Sequence, residues 1–261
     1  TSLQLFIPWG VQDVDGDGIA ELMAVDAQRV RLLESASQRA FPERLIWEER
    51  DLWGGEVADL DEDGLPELFL RSGLGPYFQV FESNANDEME EIEVLNNPGT
   101  GANELGLRQV VGDFDGDGRG EVISGDIDGD LFAYERVADN AYRSTWQDAG
   151  DGDARIVGGG VDLDGDGGEE FVVARFINDR FDVQARRWEI EVFSALGDNL
   201  FAPEWQVDVM GGQAGGSGIG QGDLDGDGTV EWVLLAVPNL YVFRSADVDR
   251  YEPVWHVPVR E

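Results

Sequence analysis

Short apolar runs recur along the chain, each opened by a glutamate: Glu-Leu-Met-Ala-Val at 21–25, Glu-Leu-Phe-Leu at 67–70, Glu-Val-Ile at 121–123, Glu-Phe-Val-Val at 170–173 and Glu-Trp-Val-Leu-Leu at 231–235. They are too short for helices and rich in β-forming residues, so they predict strands. A second set, at 30–33, 77–81, 131–134, 188–193 and 240–244, alternates or is apolar throughout and predicts a further strand in each unit. A third set carries Trp47, Trp146, Trp205 and Trp255 at matching places, with Ile92 and Val94 there in the second unit. Because these tryptophans recur with the repeat, they read as sheet-packing residues rather than ligand platforms. In the last unit a strand over about 217–222 precedes one at 230–236, and Pro238-Asn239 marks a tight turn after it. No helical periodicity competes, and the chain reads as all-β.

Immediately before each of the first runs stands a nine-residue polar cassette with carboxylates at positions 1, 3, 5 and 9 and glycine at 6. The five copies place their carboxylates at Asp13, Asp15, Asp17 and Glu21; Asp59, Asp61, Asp63 and Glu67; Asp113, Asp115, Asp117 and Glu121; Asp162, Asp164, Asp166 and Glu170; and Asp223, Asp225, Asp227 and Glu231. Without a cation such charges repel at close range. Ca²⁺ takes six to eight oxygens in a flexible shell, and a short loop supplies them when alternate side chains turn inward and a backbone carbonyl joins. Position 7, occupied by Ile19, Leu65, Arg119, Gly168 and Thr229, is the expected source of that carbonyl. The rival is the EF-hand, which opens the same way but needs a bidentate Glu at position 12 and flanking helices. Position 12 here is Ala24, Leu70, Ser124, Val173 or Leu234, and strands follow each glycine, so that reading fails.

The first Asp of successive cassettes falls at 13, 59, 113, 162 and 223. A period near 50 residues built from short strands is the signature of a propeller blade. The cassettes, the Gly-Asp entries at Gly112-Asp113 and Gly222-Asp223, and the strand order resemble the FG-GAP/VCBS repeats of integrin-alpha-like β-propellers over nearly the whole chain. The resemblance implies one propeller domain over 1–261, with units of approximately 1–50, 51–95, 96–148, 149–209 and 210–261. It also implies a calcium loop between the first two strands of each blade, liganded by positions 1, 3, 5 and 9 and the carbonyl of 7, for about five Ca²⁺ ions. The departure is at position 9, where Glu stands throughout in place of the family's Asp. Five blades form a complete propeller or part of a larger one, and the stretch 3–7, ahead of the first inner strand, is available to pair with the last blade.

This strand order puts the metal loops and the third-to-fourth-strand turns on one face. On the other fall the irregular stretches 96–106, 149–153, 175–187 and 211–220, loops of the kind that carry binding. Candidate ligand contacts are Trp53 in Leu-Trp-Gly-Gly and the basic concentration Arg180, Arg186 and Arg187, for which pairing with Asp179 and Asp182 is the bland alternative. Asp126-Ile-Asp128-Gly-Asp130 lacks the glycine at position 6 and reads as a hairpin turn. Asp148, Asp151 and Asp153 read as solvated acids, and the glycine-rich 211–222 has no Lys and no following helix, so it is not a phosphate loop.

Composition narrows the partners. The formal charge is −37, with 55 acids against 18 bases, and every base is Arg. Twenty acids belong to the cassettes, so five divalent ions would still leave an acidic surface, a poor match for nucleic acid or anionic lipid. No apolar run approaches the roughly 18 residues of a membrane span, and no signal peptide opens the chain. The start at Thr1 without Met reads as a mature or excised piece of a longer chain. Weak Ca²⁺ loops suit a millimolar-calcium, extracellular setting. Enzyme chemistry is restricted: there is no Lys, no Cys, a single His256 and no Gly-x-Ser-x-Gly elbow. The leading expectation is an extracellular binding or adhesion module for a protein or glycan. The alternatives are a polysaccharide-degrading lyase or glycoside hydrolase, or its accessory domain, and an inert spacer in a surface protein.

Overall fold

The computed structural model describes residues 7–26, 28–37, 39–85, 87–101, 104–177, 186–210, 220–236 and 239–258. Within them the chain is all-β, arranged as five four-stranded antiparallel sheets, which is the five-bladed count expected of the propeller class. The first sheet holds β1 (Ile7–Gln12), β2 (Glu21–Asp26), β3 (Arg29–Ser35) and β4 (Pro42–Arg50) in that order. The second holds β5 (Leu52–Ala58), β6 (Glu67–Ser72), β7 (Tyr77–Ala85) and β8 (Glu88–Asn96). The third has β9 (Leu105–Gly112), β10 (Glu121–Asp126), β11 (Leu131–Ala138) and β12 (Ala141–Asp148). The fourth has β13 (Asp153–Val161), β14 (Glu170–Ile177), β15 (Arg187–Gly197) and β16 (Leu200–Met210), and the fifth β17 (Gln221–Gly222), β18 (Glu231–Ala236), β19 (Asn239–Asp247) and β20 (Arg250–Pro258). No helix of the described residues is long and apolar enough to cross a membrane.

Several expected boundaries move. Ile7 is the first residue of β1 itself and pairs with Val25, because β1 must extend far enough to match the six residues of β2; residues 3–6 lie outside the described part. Arg175 and Arg187 belong to β14 and β15, which continue their ladder through Ile177–Arg187, so the irregular stretch there is shorter than 175–187. Asp153 and Gly106 likewise lie in strands. Of residues 217–222, 220–222 are described and Gln221–Gly222 form the strand; Pro238 lies outside the description.

The chain divides into two compact units, 1–97 with 136–143, and 98–135 with 144–261. In the first, Val14, Met23, Val30, Leu32, Leu52, Leu68, Leu70 and Phe81 form the core, and Trp47 of β4 meets Phe81 edge-on with ring centroids 5.1 Å apart. In the second, Trp146 of β12 packs against Phe171, Phe193 and Phe201, and Trp205 of β16 against Trp232, Phe243 and Tyr251. The fourth-strand tryptophan of one sheet therefore seals against the next sheet, where burial of a large ring contributes most. Trp255 of β20 is the exception and is 52% exposed. Beside Trp47, Trp205 and Trp255 the outer ladder carries a bulge, which turns the ring out of its own sheet.

Candidate metal centres

Each cassette links the first two strands of its sheet, and its backbone amides hold its own carboxylates in one repeated pattern. The position-6 glycine N–H donates to Oδ2 of the position-1 Asp in all five, from Gly18, Gly64, Gly118, Gly167 and Gly228, at 2.9–3.1 Å. Position 5 donates to the position-3 carboxylate, and position 7 (Ile19, Leu65, Arg119, Gly168, Thr229) to Oδ1 of position 5. These are Asx-type turns, in which a short carboxylate substitutes for a backbone acceptor two residues back. The glycine at position 6 takes φ between +86° and +98°, which an L side chain rarely adopts.

The position-9 glutamate closes the loop. Oε2 of Glu21, Glu67, Glu121, Glu170 and Glu231 accepts the N–H of the position-2 residue (Val14, Leu60, Phe114, Leu163, Leu224) at 2.6–2.9 Å. The longer arm of Glu allows it to span back across the loop from the start of the second strand. All five side chains are buried, none more than 2% exposed. Oε1 of Glu21, Glu121 and Glu231 is buried with no hydrogen-bond partner, whereas Oε1 of Glu67 accepts the Tyr142 hydroxyl at 2.9 Å. Burial, reinforced by the neighbouring aspartates, pushes Glu21 and Glu67 up to about 7 and Glu121 and Glu170 up to about 8. Carboxylate oxygens of Asp113, Asp115, Asp117 and Glu121 lie within 4.8 Å of one another, as do those of Asp162, Asp164, Asp166 and Glu170, and of Asp13, Asp15 and Asp17. An all-oxygen donor set with an orphaned buried carboxylate oxygen suits a hard divalent cation.

Sequence reasoning missed a second tier of contacts. The two-residue turns between third and fourth strands carry Asp87, Asn140, Asn199 and Asp249 at φ of 52–65°. Their backbone N–H groups donate to Oδ2 of Asp15, Asp61, Asp115 and Asp164, the position-3 residues of the preceding sheet's cassettes, at 2.6–3.0 Å. Within each unit the tips therefore lie on the same side as the cassette loops they contact, as the strand order implied. The signal available in sequence was only an Asx residue at a turn, a type that tolerates the left-handed region.

The residue across the sheet from position 9 also escaped notice. One register step beyond the pairs Leu22–Leu33, Leu68–Phe81 and Phe171–Phe193 stand Glu34, Glu82 and Ser194, while Glu121 pairs with Glu135 and Glu231 with Arg244. Glu34 is ion-paired to Arg44, which also reaches Asp87 at 2.7 Å, and Arg119 Nη1 lies between Asp117 at 3.4 Å and Glu135 at 3.2 Å.

The remaining candidates are placed as follows. Trp53 is half-buried in β5. Arg187 opens β15 and pairs with Glu189 and Asp208, acids of its own sheet; Arg186 precedes it, half-buried, and Arg180 lies outside the described residues with Asp179 and Asp182. Asp126 Oδ1 accepts the N–H groups of Asp128, Gly129 and Asp130, which makes that segment a turn. Asp148 pairs with Arg175 and Asp153 with Arg155, and His256 stacks on Tyr241 with centroids 5.8 Å apart. A cavity of about 150 Å³ opens among Gly10, Gln12, Glu21, Met23, Gly55 and Glu56, with no aromatic ring among its described lining.

Residues 13–70 match the model of the FG-GAP-like repeat. No curated protein matches the chain. Among solved structures the chain is similar to the periplasmic gluconolactonase PpgL of Pseudomonas aeruginosa, at 13% identity and a TM-score of 0.59, covering 97% of this chain and 70% of that one. It is also similar to an Agrocybe aegerita lectin that recognises non-reducing terminal N-acetylglucosamine, at 14% identity and a TM-score of 0.55, covering 96% of this chain and 65% of that one. At such identities the likeness is one of fold, and the fold is that of a β-propeller.

Proposed function

We propose that this all-β propeller module, with its FG-GAP-like repeat, binds about five Ca²⁺ ions in its cassettes and works outside the cell as a binding or adhesion module for a protein or glycan. The observation that carries the calcium reading is the buried, unpartnered Oε1 of Glu21, Glu121 and Glu231, with Asp113, Asp115 and Asp117 gathered around Glu121. Leaving a buried carboxylate without a partner costs more than most folds tolerate, and an ion removes that cost. A bound cation would supply positive charge beside the buried glutamates. The residues do the rest: the turn amides orient the aspartates, the position-9 Glu joins the two strands, and the following sheet's tip fixes position 3.

The Agrocybe aegerita lectin, similar to this chain in fold, recognises non-reducing terminal N-acetylglucosamine, which makes a glycan a reasonable ligand class here. The −37 charge disfavours nucleic acid and anionic membranes. The enzyme alternative draws on the gluconolactonase likeness.

The deciding experiment is thermal unfolding with Ca²⁺ and after chelation, with bound metal counted, followed by glycan and protein binding screens in both media. About five ions and a midpoint lowered by chelation are expected, with ligand binding that needs Ca²⁺. An unchanged midpoint with no bound ion would overturn the calcium reading. Ion binding without any ligand in the screens would favour the spacer alternative.

A further inference from the structure

The fifth cassette differs from the other four in the charge set against it. Its Asp225 Oδ2 faces the Arg244 guanidinium at 3.9 Å. The place across from the position-9 glutamate holds Glu in three sheets and Ser194 in the fourth, but Arg244 in the fifth.

Arg244 Nη1 lies 3.4 Å from Asp227 Oδ2 as well, so the guanidinium sits beside two of the four carboxylates that would hold the ion. Arg44 and Arg119 also lie near cassettes, but each shares its charge with a buried glutamate on the third strand, Glu34 or Glu135. Arg244 has no such partner: among the described residues its ion pairs are with Asp225 and Asp227. Its charge is therefore delivered to the loop itself.

We propose that Arg244 is a built-in counter-cation of the fifth cassette, so that this site takes Ca²⁺ last and most weakly of the five. The inference rests on the calcium reading above. A cation held by Asp225 and Asp227 would share both carboxylates with the guanidinium, and like charges at such close quarters repel even in water-like surroundings, so the fifth site is on the order of tenfold weaker than the others. The fifth shares its carboxylates with an arginine whose ion pairs, among the described residues, are with that loop alone.

The five position-6 glycine amides give a separate readout for each site, since each donates to the position-1 Asp of its own loop. Calcium-stripped, ¹⁵N-labelled full-length chain is titrated with chelator-buffered Ca²⁺. The Gly228 resonance is expected to move with a midpoint about tenfold higher than those of Gly18, Gly64, Gly118 and Gly167. Arg244→Ser brings Gly228 to the midpoint of the others and leaves those four unchanged, whereas Arg244→Lys, which keeps the charge, leaves Gly228 late. Arg244 is partly exposed, and the dispersion of the spectra checks that both variants fold. If all five glycines shift together in the wild type, or Gly228 ignores Arg244→Ser, the proposal is wrong while calcium binding stands. If no glycine shifts, both readings fall.

Discussion

Glu121→Gln should stabilise the calcium-free protein and weaken the calcium-loaded one. Glu121 is fully buried, its Oε2 accepts the Phe114 N–H at 2.9 Å, and Oε1 has no partner. Burial is the largest cause of its raised pKa, about 8, with Asp115, Asp113 and Asp117 adding repulsion. A carboxyl whose folded pKa is raised costs nothing while protonated, below its ordinary value of 4.5, and costs progressively more as pH rises toward 8. At about pH 7.5, some three units above the ordinary value, the burden is at most about 4 kcal/mol at 1.4 per unit, and loop relaxation brings the working figure to about 2 kcal/mol. Gln keeps the acceptor for Phe114 and removes the charge. For a chain of this size that recovers about 4–8 °C of melting midpoint in chelator. In excess Ca²⁺ the order reverses, because Gln deprives the ion of an anionic ligand. Calorimetric melts of both proteins in both media test this. A midpoint lowered by the substitution in chelator, to the same extent as in Ca²⁺, would show that Glu121 is an ordinary polar core residue and refute the argument.

Two further outcomes follow from the same geometry. Glu21 and Glu67, raised to about 7, and Glu170, raised to about 8, should make the calcium-free midpoint fall as pH climbs from 4.5 toward 8, and saturating Ca²⁺ should flatten that slope; a calcium-free midpoint that rises over this window contradicts the burial argument. Trp205→Ala removes a ring that meets Trp232, Phe243 and Tyr251 at 5.7–6.5 Å and should cost about 3–5 kcal/mol in urea unfolding; a loss below about 1 kcal/mol would mean the tryptophan does not seal the two sheets.

Strand type, repeat period and blade count were readable from apolar runs after Asp-rich loops, because both signals are local and repeat five times. The tryptophans were also recognised as packing residues, but local sequence could not say that Trp146 and Trp205 bury against the next sheet, nor that Trp255 is left half-exposed. The contacts that finish the loops were less accessible still. A backbone amide from Asn140 or Asn199 has no side-chain signature, and its acceptor, Asp61 or Asp115, lies 79 or 84 residues earlier. The bond between the Tyr142 hydroxyl and Glu67 depends on how two sheets meet, which no window of sequence contains. Arg244 was legible as a charge, but its relevance appears only once its register opposite Glu231 is known.

The turn amides give the repeat a direction in time. The first four loops are each gripped by a group that follows them in the chain, by 72 residues for Asp15 and 85 for Asp164. On a ribosome adding about 5–20 residues per second, a newly emerged loop waits roughly 4–17 s for the amide that orients its third carboxylate. The nascent chain therefore matures from its N-terminus with a lag of more than one repeat, so that one or two of these loops are still waiting for their clasp as the next is made.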